Sequence, residues 1–125
     1  MHKFLAAAGL NGAMGVTFGA WAAHGLEGRL PPAALAWIQT GASYQLWHAA
    51  ALIGLAALAT RHATRLFVLA GIGFGLGALL FGGSLYLYAW TEQAGFAMVT
   101  PVGGALMIGG WLAALAAAFR LSARS

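Results

Sequence analysis

Cysteine is absent from this chain, which excludes a disulfide framework, thiol redox chemistry and any thiolate metal centre. Acids are almost as scarce. Glu27 and Glu92 are the only two, and charged residues make up 6% of 125 positions where soluble domains carry about 25%. So few charges cannot cover the surface of a soluble fold of this size. The 62% of residues that are hydrophobic must therefore meet lipid over most of the exterior. The six bases are scattered singly at segment ends, so the net charge of +4 lacks the clustered stripe that tracks phosphates, and no nucleic-acid partner is expected. The length admits one unit, residues 1–125, and no second domain.

Asp, Glu, Lys and Arg are missing from four apolar runs: Phe4–Ala23, Ala42–Ala59, Leu66–Trp90 and Pro101–Phe119. Each is about long enough to cross an apolar layer of about 30 Å at about 1.5 Å per residue. Backbone groups in lipid must be satisfied internally, which leaves helices or barrel strands. Barrel strands alternate polar and apolar residues and these runs do not, so four helices are predicted. The first run also resembles a signal peptide, with Lys3 before it and Ala20-Trp21-Ala22 as a cleavage-like site. It is long for a signal core, and the expectation is an uncleaved span.

Lys3 precedes the first span, Arg61 and Arg65 lie between the second and third, and Arg120 and Arg124 follow the fourth. With four helices these regions share one side, leaving Arg29, Glu27 and Glu92 on the other. The positive-inside rule then places both termini in the cytoplasm. Of the connections, Gly25–Gly41 is the longest. Pro31-Pro32 followed by Ala34, Leu35, Trp37 and Ile38 reads as a short interfacial helix anchored by Trp37, or as an extension of the second span. Thr100-Pro101 reads as the capped start of the fourth span. The predicted fold is thus an all-α membrane protein, an antiparallel bundle of four transmembrane helices with an interfacial helix between the first two.

Glycines sit mostly inside the spans, where they let helix backbones approach closely. At 100° per residue, Ala8, Asn11, Gly12, Gly15, Gly19 and Ala22 share one arc of the first span, with Leu10, Met14 and Trp21 turned to lipid. The third span carries Gly73, Gly77 and Ser84 on one face and Gly71, Gly75 and Gly82 on the opposite one, so it should touch neighbours on both sides. The fourth gathers Gly103, Gly104, Met107, Gly110, Trp111 and Ala114 opposite Ile108, Leu112, Leu115 and Phe119. Gly73–Ala78 matches a loose dinucleotide-binding pattern, but lacks the strand and helix N-terminus which that chemistry requires.

Four phrases follow one another along the chain: Gly19-Ala20-Trp21-Ala22-Ala23-His24-Gly25-Leu26; Tyr44-Gln45-Leu46-Trp47-His48-Ala49; Leu80-Phe81-Gly82-Gly83-Ser84-Leu85-Tyr86; and Thr100-Pro101-Val102-Gly103-Gly104 with Gly110-Trp111. In order and extent they resemble the helix signatures of the small membrane-protein family known as domain of unknown function 423. The chain departs from the family at Ala22, where glycine is frequent, and at Gly82, where serine is usual. Both changes exchange small residues and bear only on close packing. The resemblance implies four helices in a bacterial inner or organellar membrane, and it brings no established activity.

Polar groups inside a membrane are costly enough to need a role. Tyr44, Gln45 and His48 share one face of the second span, and His48 lies roughly two turns, or about 10 Å, below the outer surface by this reading. Its expected partners from other helices are Ser84, Tyr88 and His24. As interhelical glue such groups contribute about 0.6 kcal/mol each, up to about 2. Sharper alternatives are a metal held by His24, His48 and Glu92, a haem between His24 and His48, and a pocket for a quinone, lipid or small solute at Tyr44, Gln45 and His48. Nothing resembles a nucleophile with its base, so no catalytic residue is assigned and no cofactor is expected. The first functional expectation is a non-enzymatic accessory or interaction subunit, meeting lipid and other membrane proteins or its own copies. A binding protein using the polar cluster in the outer half is the alternative.

Overall fold

A computed structural model describes residues 2–124. It contains helix α1 (His2–Ala20), a π-helical turn (Trp21–Gly25), α2 (Pro32–Ala59), α3 (Arg65–Thr91) and α4 (Ala94–Arg124). Among the described residues there is no strand, and all four helices, the first counted through its π turn, are long and apolar enough to cross a membrane. The chain leaves α1 by widening its last turn, where the Leu26 N–H donates to the Trp21 carbonyl at 3.0 Å. α3 begins at a Thr64 cap whose hydroxyl accepts from the Leu66 N–H. It ends where Glu92 takes a left-handed conformation at φ 54°.

Two boundaries differ from those the sequence predicts. The stripe Ala34–Ile38 is no separate interfacial helix, because α2 runs unbroken from Pro32 to Ala59, with Ala34 and Ile38 buried in the bundle. Proline at its first position explains the start: the missing N–H is one that no helical carbonyl would have used. α4 begins at Ala94, seven residues before the expected first helical residue, so Pro101 lies inside the helix. Thr100 spends its hydroxyl on Ser84 of α3 instead of capping a helix. Helices in lipid tolerate an internal proline where neighbouring groups absorb the freed carbonyl.

Glycine positions set the register. A Cβ at Gly73 would lie 2.7 Å from Gly110 Cα, one at Gly77 would lie 2.9 Å from Met107 N, and one at Gly103 would lie 2.5 Å from Phe81 N. α3 and α4 are therefore in backbone contact along one row. The opposite row meets other helices: Gly71 lies under the Phe4 ring, Gly75 faces Ala7, and Gly82 lies under the Gln45 side chain. Between α1 and α2 the meeting points are Gly12 with Ala49, Gly15 with Leu46, and Gly19 with Ala42. Two apolar cores result. One joins Ala8, Leu52, Leu55, Phe67, Ala70, Phe74 and Ala117. The other joins Ala22, Leu26, Ala34, Ile38, Tyr86 and Ala89. Asn11, Gln45 and His48 fall between them along α1 and α2. Met14 is half-buried and does not face lipid, because its sulfur lies 3.7 Å from the Gln45 amide nitrogen.

Candidate functional site

Asn11, Gln45, His48 and Ser84 are the buried polar side chains of the described residues, between 0% and 5% exposed. Asn11 projects from α1 and donates from Nδ2 to two carbonyls, Ala7 at 3.0 Å and Gly75 of α3 at 3.2 Å. Both partners accept only, which fixes the amide orientation and turns Oδ1 towards Gln45 Nε2 at 2.9 Å. Gln45 Oε1 in turn accepts from the Tyr86 hydroxyl of α3 at 2.6 Å. One side chain of α2 thus ties α1 to α3. The Tyr86 ring continues the arrangement by stacking on Phe18 at 4.0 Å between centroids.

His48 makes the link to α4. Nδ1 lies 2.7 Å from the Tyr44 carbonyl and Nε2 lies 3.0 Å from Trp111 Nε1. A carbonyl only accepts and an indole N–H only donates, so these partners specify the neutral imidazole with its proton on Nδ1. Ser84 and Thr100 join α3 to α4 at 2.6 Å. Because Ser84 Oγ donates to the Phe81 carbonyl, Thr100 is the donor between the two hydroxyls. Among the described residues no buried side-chain nitrogen or oxygen lacks a partner. The layer consists of three separate sets, Asn11–Gln45–Tyr86, His48–Trp111 and Ser84–Thr100, each hydrogen-bonded within itself. Such sets hold helices in register.

The sequence candidates are divided by the fold. Gln45 and His48 join the layer. Tyr44 contributes its carbonyl to His48, while its exposed ring packs on Trp47 and Phe81. Ser84 bonds Thr100, and Tyr88 packs its ring on Trp37 at 4.6 Å, so neither is the partner of His48. His24 is exposed in the π turn, beyond Gly19, whereas His48 lies at the level of Gly12 and Gly15. Glu92 is exposed after α3. No group of three His, Asp or Glu side chains comes together among the described residues, so His24, His48 and Glu92 are not assembled as a metal set. A bis-histidine haem is likewise not framed by His24 and His48, since both nitrogens of His48 are occupied. His48 lies roughly 24 Å from the Pro32 end of α2 and roughly 16 Å from its Ala59 end, at 1.5 Å per residue.

Asn11, Tyr86, Thr100 and Trp111 complete the layer, and the sequence alone does not assign them to it. Two signals are present: Asn11 is the single amide within the first span, and Trp111 lies mid-span, away from the interfaces where tryptophan usually sits. Four membrane-length helices around an internally satisfied polar layer define a polytopic α-helical membrane protein. Residues 18–104 match the model of the family described as "Protein of unknown function (DUF423)", and the chain belongs to that family. It is 39% identical to the UPF0382 inner membrane protein YgdD of Escherichia coli (strain K12), over 91% of this chain and 87% of that protein. A UPF0382 membrane protein of Haemophilus influenzae is 37% identical over 95% of each chain. The UPF0382 membrane protein YwdK of Bacillus subtilis is 34% identical over 96% of this chain and 98% of its own. No solved structure matches.

Proposed function

We propose that this chain is a non-enzymatic accessory subunit of the inner membrane, a rigid helical unit that other membrane proteins or further copies pack against. The observation that carries this reading is the closed polar layer: every buried polar side chain among the described residues is satisfied within the chain, so recognition is left to the outer faces. One outer face favours a protein neighbour. Trp47 on α2 and Trp111 on α4 are 60% and 51% exposed, Trp47 beside the Tyr44 ring and Trp111 beside His48. Large aromatics away from the interfacial belt are the side chains that anchor protein contacts. Native mass measurement in mild detergent tests the proposal. The expected species is a complex of fixed stoichiometry, which Trp47→Ala disperses. A monomer carrying a small molecule or a metal ion would instead support the binding-protein alternative.

The supporting arrangement is a single antiparallel bundle with both termini cytoplasmic. Pairings that rise along one helix and fall along the next (12 with 49, 19 with 42; 73 with 110, 81 with 103) favour it, and so do the five bases at one end. The chain has no native cysteine to confuse labelling. Cysteines introduced at Ala63 and Ser125 should react with an impermeant maleimide only from the cytoplasmic side, and one at Gly95 only from outside. Opposite sidedness for Ala63 and Ser125 would end the four-span arrangement.

A further inference from the structure

At the end of the bundle that carries the α2–α3 loop, four of the six bases converge on one cavity. Arg61 and Arg65 approach from the loop and the first turn of α3, and Arg120 and Arg124 from the last turns of α4. With loop residues 62–64 they line an open cleft of about 560 Å³ over an apolar floor of Ala117 and Leu121. Arg120 and Arg124 are four residues apart and share a helix face. Neither acid is available here, since Glu27 and Glu92 lie in the connections at the opposite end. The positive-inside rule asks only that bases flank the spans on one side. It does not ask two separate segments to line one cavity, where an anion between the exposed guanidiniums would relieve their mutual repulsion.

The surroundings of the cavity continue as an apolar path. Loop residues His62–Arg65 also border a second cavity of about 430 Å³ that reaches Phe4 and Val68. Phe4 and Val68 belong in turn to a third, of about 470 Å³, which runs between α1 and α3 past Leu10, Ile72 and Leu76 to Leu79. From Val68 to Leu79 the path covers roughly 16 Å, about one leaflet of a core of about 30 Å. Guanidinium groups at the membrane surface with a leaflet-deep apolar groove beside them fit a phosphate headgroup and its acyl chain.

We propose that this end of the bundle binds an anionic phospholipid, its phosphate held by Arg61, Arg65, Arg120 and Arg124 and an acyl chain laid in the α1–α3 groove. Planar guanidinium forks match phosphate oxygens two at a time, and basic pockets at helix ends are where anionic headgroups are recognised. The site is independent of the accessory role; its arginines lie at the end of the helices, and its groove reaches as deep as Asn11 of the polar layer.

The test is lipid retention by native mass spectrometry, comparing phosphatidylglycerol with phosphatidylcholine of the same chains. The intact protein should retain phosphatidylglycerol about tenfold over phosphatidylcholine, and the double variant Arg120→Gln/Arg124→Gln should lose most of that preference, as removal of charge-assisted hydrogen bonds requires. Arg29→Gln, at the opposite end, should leave the preference unchanged. Thermal unfolding by circular dichroism confirms that the variants fold. Should the double variant fail to fold, the intact protein still decides, because rising salt must weaken phosphatidylglycerol retention and spare phosphatidylcholine. Equal retention of the two lipids, or an equal loss in Arg29→Gln, would overturn the site. Displacement of phosphatidylglycerol by millimolar inorganic phosphate would also overturn it, showing a site for the free anion.

Discussion

Gly103→Ala is expected to destabilise the bundle by about 3 kcal/mol, the upper end of overpacking costs in well-packed interiors. The added methyl would lie 2.5 Å from Phe81 N, 2.7 Å from the Gly77 carbonyl oxygen and 2.9 Å from Phe81 Cα. All three are backbone atoms of α3, which cannot rotate aside as the end of a side chain can. The two helices must therefore separate along the row that also holds Gly73 against Gly110 and Gly77 against Met107. Helix association in lipid has little hydrophobic drive and depends on such close approach, so the loss spreads along the contact. Gly109→Ala, six residues on, has nothing within 4 Å of its new methyl. It should be neutral, or gain up to about 1 kcal/mol from helix propensity. Unfolding by a denaturing detergent in mixed micelles measures both, and equal stability of the two variants would remove the case for backbone contact between α3 and α4.

The same glycines show what is legible in the sequence. Small-residue spacing on the third span places Gly73 and Gly77 on one face and Gly71, Gly75 and Gly82 on the other. Those are the faces that meet α4 and, on the opposite side, α1 and α2. Periodicity assigns a residue to a face because that depends on one helix alone. It does not say which partner the face meets, or at what level. For that reason Gln45 and His48 stand out as a polar face, while their partners do not. The bond from Gln45 to Asn11 depends on Gly12 lying beside Ala49 and Gly15 beside Leu46, a register between two helices. Periodicity groups Trp111 with the small-residue face of the fourth span, and nothing local to that span points it at His48. The helix boundaries are obscured for a different reason. Threonine and proline at 100–101 carry the signature of a helix start in water, and α4 passes through them because its earlier residues, Ala94–Val99, are themselves apolar and helical.

Gln45→Leu is the substitution that tests the polar layer most directly. Gln45 is fully buried, bridges Asn11 and Tyr86, and lies across Gly82 of α3. Its interhelical hydrogen bonds, to Asn11, Tyr86 and more weakly the Met14 sulfur, contribute about 0.6 kcal/mol each on average, which alone predicts a small loss. The greater cost lies in what the substitution strands: the Tyr86 hydroxyl and the Asn11 carbonyl oxygen remain buried without a partner, at about 1–3 kcal/mol apiece. A total of about 3 kcal/mol is expected, with the stranded groups deciding it. If stranded groups dominate, replacing the partners as well, in Asn11→Leu/Gln45→Leu/Tyr86→Phe, removes them together with the bonds. That triple variant should recover at least half of the lost stability. A bridge that merely filled space would instead give a triple variant no more stable than the single one. A Gln45→Leu protein within about 0.5 kcal/mol of the parent, the range of ordinary surface substitutions, would show that the amide network does not hold the helices.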